Sequence, residues 1–260
     1  MDYSVKTHKG KRKNNQDFAG VFINQSNLLL ALLADGLGGH RAGDIASEMA
    51  VSQLGHLWEQ TSFTGEDSST IQKWLDDKIN GENKRIYELS NKYPDLEGMG
   101  TTLVASVVLN DKILISNIGD SRAYTYKEGQ LEQITEDHSF VSELQRKGEL
   151  TDEEARNHYN RNALTRSLGV KGRVLVDFFK VKKSNLMTIM LNSDGLTNVL
   201  VKEEIIQILA DEKTTLDSKS QFLVQLAVDN EGSDNITVLL IDFKNRNTVD
   251  DLTQNKVGEE

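Results

Sequence analysis

The sequence predicts an α+β fold resting largely on antiparallel sheet. Three observations carry that reading. Strand-like and helix-like segments come in blocks, not as a regular β-α-β alternation. The strand-rich middle of the chain is punctuated by tight turns, Asn110-Asp111 and Glu128-Gly129, which suit hairpins. Neither Gly-x-Gly-x-x-Gly after the first strand nor Gly-x-x-x-x-Gly-Lys-Ser/Thr is present, so the common nucleotide-binding α/β patterns lose support.

The elements follow in order. Leu28-Leu29-Leu30-Ala31-Leu32-Leu33-Ala34 is short and continuously apolar, as a strand buried on both faces requires. It stops at the glycine-rich turn Asp35-Gly36-Leu37-Gly38-Gly39. Residues 44–60 place Ile45, Met49, Leu54, Leu57 and Trp58 on one helical face, and residues 69–93 repeat that spacing through Ile71, Trp74, Leu75, Ile79, Ile86 and Leu89. Strands are expected at 101–109, 113–118 and 122–126. Residues 137–160 are polar and helix-prone, with a Thr-x-x-Glu capping box at Thr151 and Glu154. They read as an irregular helical insertion. Strands resume at 174–181 and 186–191, helices follow at 202–211 and 216–229, and 235–243 is the last strand. The tail, 244–260, is polar enough to be disordered.

Composition narrows the function. The chain has 260 residues, enough to bury a real core, and no cysteine. Thiolate zinc sites, iron–sulfur clusters, disulfides and a cysteine nucleophile are therefore excluded. A formal charge of −10 argues against a general nucleic-acid binder. The N-terminus lacks the apolar stretch of a signal peptide, and no run approaches the ~20 apolar residues of a membrane span. A cytoplasmic protein without membrane insertion is expected.

Four aspartates share one type of position. Asp35 ends the run 28–34, Asp120 follows strand 113–118, Asp194 follows run 186–191, and Asp234 immediately precedes strand 235–243. An Asp-Gly or Asp-Asn pair taken alone reads first as a plain turn former. Together, on one rim, they would repel unless a cation sat among them. Carboxylates without nearby cysteine or histidine favour hard ions, Mg²⁺ or Mn²⁺, and the glycine after Asp35 would let its carbonyl ligate as well. Near the N-terminus, Lys11-Arg12-Lys13-Asn14-Asn15-Gln16-Asp17 is either a solvated loop or an anion clamp. In the second case Arg12 offers a planar fork that matches two phosphate oxygens.

A family pattern is carried by seven motifs in order. They are Arg12-Lys13-Asn14-Asn15-Gln16-Asp17, Asp35-Gly36-Leu37-Gly38-Gly39-His40, Met99-Gly100-Thr101-Thr102, Gly119-Asp120-Ser121-Arg122-Ala123-Tyr124, Leu164-Thr165-Arg166-Ser167-Leu168-Gly169, Ser193-Asp194-Gly195-Leu196 and Asp234-Asn235-Ile236-Thr237. The set resembles the metal-dependent serine/threonine protein phosphatases of the type 2C family, and bacterial single-domain members most. The resemblance covers roughly residues 1–243.

It implies a four-layer α-β-β-α sandwich of two antiparallel sheets flanked by helices. It implies that Asp35 bridges two Mn²⁺ or Mg²⁺ ions, with the Gly36 carbonyl on one, and that Asp194 and Asp234 complete the other. Asp17 would act directly or through water. Asp120 would help hold a third ion, Arg12 would bind the substrate phosphate, and 137–160 would be the flap beside the site. The implied activity is hydrolysis of phosphoserine and phosphothreonine in proteins by a metal-bridging hydroxide, opposing a serine/threonine kinase. Phosphorylated proteins are the expected partners, and a monomer the expected state. Where animal members carry a histidine, this chain has Leu37, which leaves His40 as the nearest candidate proton donor. Histidines 8, 56, 138 and 158 receive no role, and Arg161 and Arg166 read as ordinary ion-pair formers. A turnover-deficient binding module and a metal-dependent phosphodiesterase are the competing readings. Retention of Arg12, Asp35, Asp194 and Asp234 favours an active phosphatase.

Overall fold

The strand that begins at Leu29 is apolar on both faces because it lies between a layer of helices and a second sheet. In this computed structural model, residues 1–38, 42–184 and 186–243 are described. The chain opens with β1 (Asp2–His8), β2 (Asp17–Ile23) and β3 (Leu29–Leu37), then α1 (Ala42–Glu59) and α2 (Ser68–Lys92). A run of strands follows: β4 (Gly100–Thr101), β5 (Leu103–Val108), β6 (Lys112–Ile118), β7 (Arg122–Lys127) and β8 (Gln130–Gln133). Two short helices, α3 (Phe140–Arg146) and α4 (Asp152–Asn157), precede β9 (Asp177–Lys182) and β10 (Thr188–Asn192). The chain continues through α5 (Asp194–Thr197), α6 (Lys202–Ala210) and α7 (Leu216–Asp229) to β11 (Ile236–Asp242).

The strands form two sheets. One has the order β1-β11-β10-β7-β8; the other runs β2-β3-β5-β6-β9, with β4 paired to β3. Every pairing is antiparallel. The period of two along each strand then sorts the core into layers. Leu30, Leu32 and Ala34 of β3 face α1 and α2, where they meet Val51, Leu54, Trp58, Ile71 and Leu75. The alternate residues Leu29, Ala31 and Leu33 face the other sheet and meet Ile189, Leu191, Leu239 and Ile241. On the far side, Met190, Val238 and Leu240 pack on Leu223, Val224 and Ala227 of α7. The result is the expected α-β-β-α stack. Each fully buried leucine in it contributes roughly 1.5–3 kcal/mol of transfer free energy.

Several elements differ from the sequence reading. Strands β1 and β2 were not anticipated. β1 is a sheet edge and buries little of its own apolar surface; β2 carries Gly20 mid-strand, where a Cβ would lie 2.9 Å from the Phe22 ring. The expected strand 101–109 is divided at Thr102. Thr101 exchanges hydrogen bonds with Leu168, while Thr102 N donates to Asp35 O, so the chain swings between two partners. The strand expected at 174–181 begins at Asp177 because Val174 N is taken by the Asn80 side chain. In 137–160 the capping box at Thr151 and Glu154 forms as its spacing predicts. The tail 244–260 lies outside the described residues.

Candidate metal centre

Two sheets bring their acidic strand ends to one place. Asp17 and Asp35 are register partners across β2 and β3. Asp35 is tied down by its main chain: its N–H donates to Thr102 Oγ1 at 2.9 Å, and its carbonyl accepts from Thr101 Oγ1 at 2.9 Å. Its side chain is thereby left for other work. Gly36 packs so closely on α1 that a Cβ would lie 2.0 Å from Gly43 O. From the other sheet, Asp194 opens α5, with Asn198 Nδ2 donating to its Oδ2 at 3.0 Å. Gly195 is required beside it, since a Cβ would lie 2.0 Å from Asn235 O.

Asp234 is joined to the N-terminal loop. Arg12 Nη2 donates to Asp234 Oδ2 at 2.8 Å. The neighbouring Asn235 holds that loop at three points: its Nδ2 donates to Lys9 O and Asn14 O at 2.9 Å each, and its Oδ1 accepts from Gln16 N at 2.8 Å. Asp17 lies deepest, 7% exposed, and its Oδ2 accepts from Ser193 Oγ at 2.7 Å. Asp35, Asp120, Asp194 and Asp234 form a partly exposed rim around it.

The electrostatics show that these carboxylates share one space. Burial first, then Asp17, Asp194, Asp120 and Asp234 in turn, push Asp35 well above the usual carboxylate range. Burial raises Asp17 to about 7 against the hydrogen bond from Ser193, with Asp194 and Asp234 adding to the rise. Asp120 is pushed up to about 8 by burial, then by Asp194 and Asp137, although Arg122 opposes this. Asp194 is raised by burial and then by Asp234. Four acids pushed up by burial and by neighbouring carboxylates call for a cation.

A divalent ion fits this set on two further observations. Asp17 Oδ1 and Asp194 Oδ1 are buried and have no hydrogen-bond partner. A buried, unpartnered carboxylate oxygen is costly unless something positive meets it. The donors are oxygens throughout, as hard ions require. Among the described residues, no three acidic or histidine side chains close around a single point. The arrangement is an open, shared rim rather than a closed cage.

Every expected site residue within the described residues reaches this rim: Arg12, Asp17, Asp35, Gly36, Asp120, Asp194 and Asp234. His40 lies outside the described residues. Sequence reasoning missed the supports. Ser193 and Thr102 stand in the motifs Ser193-Asp194-Gly195-Leu196 and Met99-Gly100-Thr101-Thr102, but nothing in the sequence ties them to Asp17 and Asp35. Arg122 holds Asp137 through Nε and Nη2, at 2.9 and 2.6 Å, and so carries its charge toward Asp120 and Asp194. Arg166 donates to Asp177 Oδ1 at 2.8 Å, the ion-pair role expected for it.

A profile described as protein phosphatase 2C matches residues 6–229. The chain belongs to the protein phosphatase 2C family. A serine/threonine phosphatase of Listeria monocytogenes serotype 4b is 45% identical over 245 residues, covering 93% of this chain and 96% of that one. The solved serine/threonine phosphatase of S. agalactiae superposes with a TM-score of 0.88 at 43% identity, covering 92% of this chain and 98% of that one. The catalytic domain of the serine/threonine phosphatase PstP, solved with two manganese ions, gives 0.76 at 32% identity over 93% of this chain and 97% of that one. This phosphatase 2C chain therefore shares its fold, over 93% of its length, with a relative solved with two manganese ions.

Proposed function

We infer that this protein is a metal-dependent hydrolase that removes phosphate from phosphoserine and phosphothreonine in proteins. The observation that carries the reading is the rim itself. Carboxylates from both sheets crowd into one space, two of their oxygens are buried without a partner, and an arginine stands at the edge. Family membership over residues 6–229 supports the same activity.

Asp35 and the Gly36 carbonyl would hold one ion. Asp35, Asp194 and Asp234 would hold a second, with Asp17 below them. Asp120 would take part in a third. Mn²⁺ or Mg²⁺ suits oxygen donors of this kind. When bound, such ions supply Lewis acidity at the phosphoryl oxygens and make hydroxide available near neutral pH. The chain's own part is orientation and charge. Arg12 presents a two-pronged donor to a phosphate dianion at the open side of the rim. Asn235 fixes the loop that carries Arg12, and Ser193 and Thr102 fix Asp17 and Asp35. Direct displacement at phosphorus needs no enzyme nucleophile, which agrees with the absence of cysteine.

The partners on this reading are phosphorylated proteins and the serine/threonine kinase whose work is reversed. The compartment is the cytoplasm, where ATP-dependent phosphorylation takes place, and the working unit is a monomer. No helix among the described residues is long and apolar enough to cross a membrane.

The test is phosphate release from a phosphothreonine peptide with Mn²⁺, with Mg²⁺ and with chelator. Turnover with metal, its loss in chelator and its return on adding excess Mn²⁺ are expected. Undiminished turnover in chelator would overturn the reading.

A further inference from the structure

His138 is 1% exposed and takes no part in the chemistry assigned above. Its ring has a partner on each side. Gly119 N–H donates to Nδ1 at 3.0 Å, and Nε2 lies 2.8 Å from Asp177 Oδ2. A main-chain N–H can only donate, so Nδ1 carries no proton. The neutral ring keeps its proton on Nε2 and gives it to Asp177. Burial lowers the imidazole pKa, outweighing the pull of Asp177, and so favours this neutral form.

The main chain of His138 returns to the same glycine. His138 N donates to Gly119 O at 3.0 Å. One residue therefore grips both polar groups of Gly119, the residue immediately before Asp120. Gly119 cannot brace itself. Its φ is +105°, and a Cβ would lie 2.6 Å from Thr102 Cγ2. The turn is held by Asn117 Nδ2 on the Gly119 carbonyl at 3.2 Å and by His138 on both polar groups.

What holds it is also the base of the 137–160 segment. His138 O accepts from Thr165 N, and Phe140 N donates to Ala163 O, both at 2.8 Å, while Ser139 and Leu164 form an antiparallel bridge. The outgoing and returning arms of that segment thus close on His138. Asp177, which fixes the ring, is itself held by Arg166 from the returning arm.

We propose that His138 is a positioning residue that aims the Asp120 carboxylate at the metal centre and ties that aim to the base of the 137–160 segment. The proposal rests on the assignment of Asp120 to the centre. Two substitutions separate its two contacts. Asparagine at 138 brings an amide oxygen to the Nδ1 position and accepts from Gly119, but falls short of Asp177. Glutamine reaches Asp177 and leaves Gly119 N–H without its acceptor.

The experiment uses the full chain, a phosphothreonine peptide and saturating Mn²⁺ for kinetics. The Gly119 amide resonance is recorded with Mg²⁺ in a ¹H–¹⁵N spectrum. His138→Gln is expected to lower kcat about tenfold with KM nearly unchanged, the scale seen when a group that orients a metal ligand is lost. It is also expected to shift the Gly119 amide. His138→Asn is expected to recover most of kcat and the wild-type amide position. Equal losses in the two variants, or an unmoved Gly119 amide in His138→Gln, would overturn the proposal. Asp120→Ala is run beside them. Wild-type kcat in that variant would overturn the assignment of Asp120 to the centre, while the Gly119 amide decides separately whether His138 holds the turn.

Discussion

The guanidinium of Arg12 and the carboxylate of Asp234 meet at 2.8 Å across 222 residues of sequence. The pair joins the N-terminal loop to the rim of carboxylates, and the arginine side chain stays 54% exposed. Arg12→Ala should lower kcat/KM on a phosphothreonine peptide by about 10- to 100-fold, the equivalent of one or two charge-assisted hydrogen bonds. Arg12→Lys should recover only part, because a point charge lacks the planar fork. Mn²⁺ affinity, measured by titration calorimetry, should change far less than KM. Full activity in the lysine variant would show that the fork is not used.

Asp194 presents one buried oxygen without a hydrogen bond to the centre. Asp194→Ala should reduce phosphate release by a factor on the order of 10³, the several kcal/mol that metal coordination contributes to phosphoryl transfer. The fold should survive, since removing one of several mutually repelling acids relieves repulsion. Circular dichroism in chelator should therefore give a melting temperature no lower than wild type. Near-normal turnover with Mn²⁺ would remove Asp194 from the ligand set.

Asp120 joins the rim from the end of the turn gripped by His138. If its side of the centre serves the departing oxygen, the cost of losing it depends on the leaving group. A serine or threonine alkoxide needs a proton, whereas an aryl oxide hardly does. Asp120→Ala should slow a phosphothreonine peptide at least about tenfold more than an aryl phosphate. Binding of the two core ions should persist. Equal losses on both substrates would exclude leaving-group protonation, and loss of the core ions would place Asp120 in the primary set.

The raised pKa values make stability without metal depend on pH in a definite direction. Asp17 titrates near 7 and Asp120 near 8 in the folded chain, against an ordinary value of 3.8. Between 3.8 and those values the folded chain binds protons that the unfolded chain has released, so stability falls as pH rises. The loss is complete only above the folded values. Because the acids interact, they titrate as a set and the decline should be broad. Melting temperature in chelator should drop steadily from pH 5 to pH 8, and added Mn²⁺ should raise it most at the upper end. A flat or rising profile in chelator would contradict the crowding of the carboxylates.

Much of this was legible because burial and turn chemistry leave local marks. Leu29 to Ala34 could be placed as a doubly buried strand because no polar residue interrupts it. Asp35, Asp120 and Asp194 could be grouped because each follows an apolar run, and Asp234 because it immediately precedes one. What escaped notice depends on contacts across the fold. The edge strand β1 owes its conformation to β11, and its own alternation is weak. Ser193 looks like any serine until β11 and Asp17 arrive beside it. His138 receives no role from the sequence, because nothing near it in the chain announces that Gly119 and Asp177 will flank its ring.

The pairing of β1 with β11 has a consequence for how the enzyme comes into being. Thr7 and Thr237 sit side by side, joined hydroxyl to hydroxyl at 2.7 Å, though 230 residues separate them. On the ribosome the first strand emerges long before its neighbour exists, and a contact of such long range is among the slowest to form. The same closure delivers Asp234 to Arg12 and lets Asn235 pin the loop between them. A growing chain holds α1, α2 and every strand of the β2-β3-β5-β6-β9 sheet before β11 exists. The N-terminal loop and the carboxylates of both sheets therefore come together only once β11 is complete and has paired with β1 along its whole length.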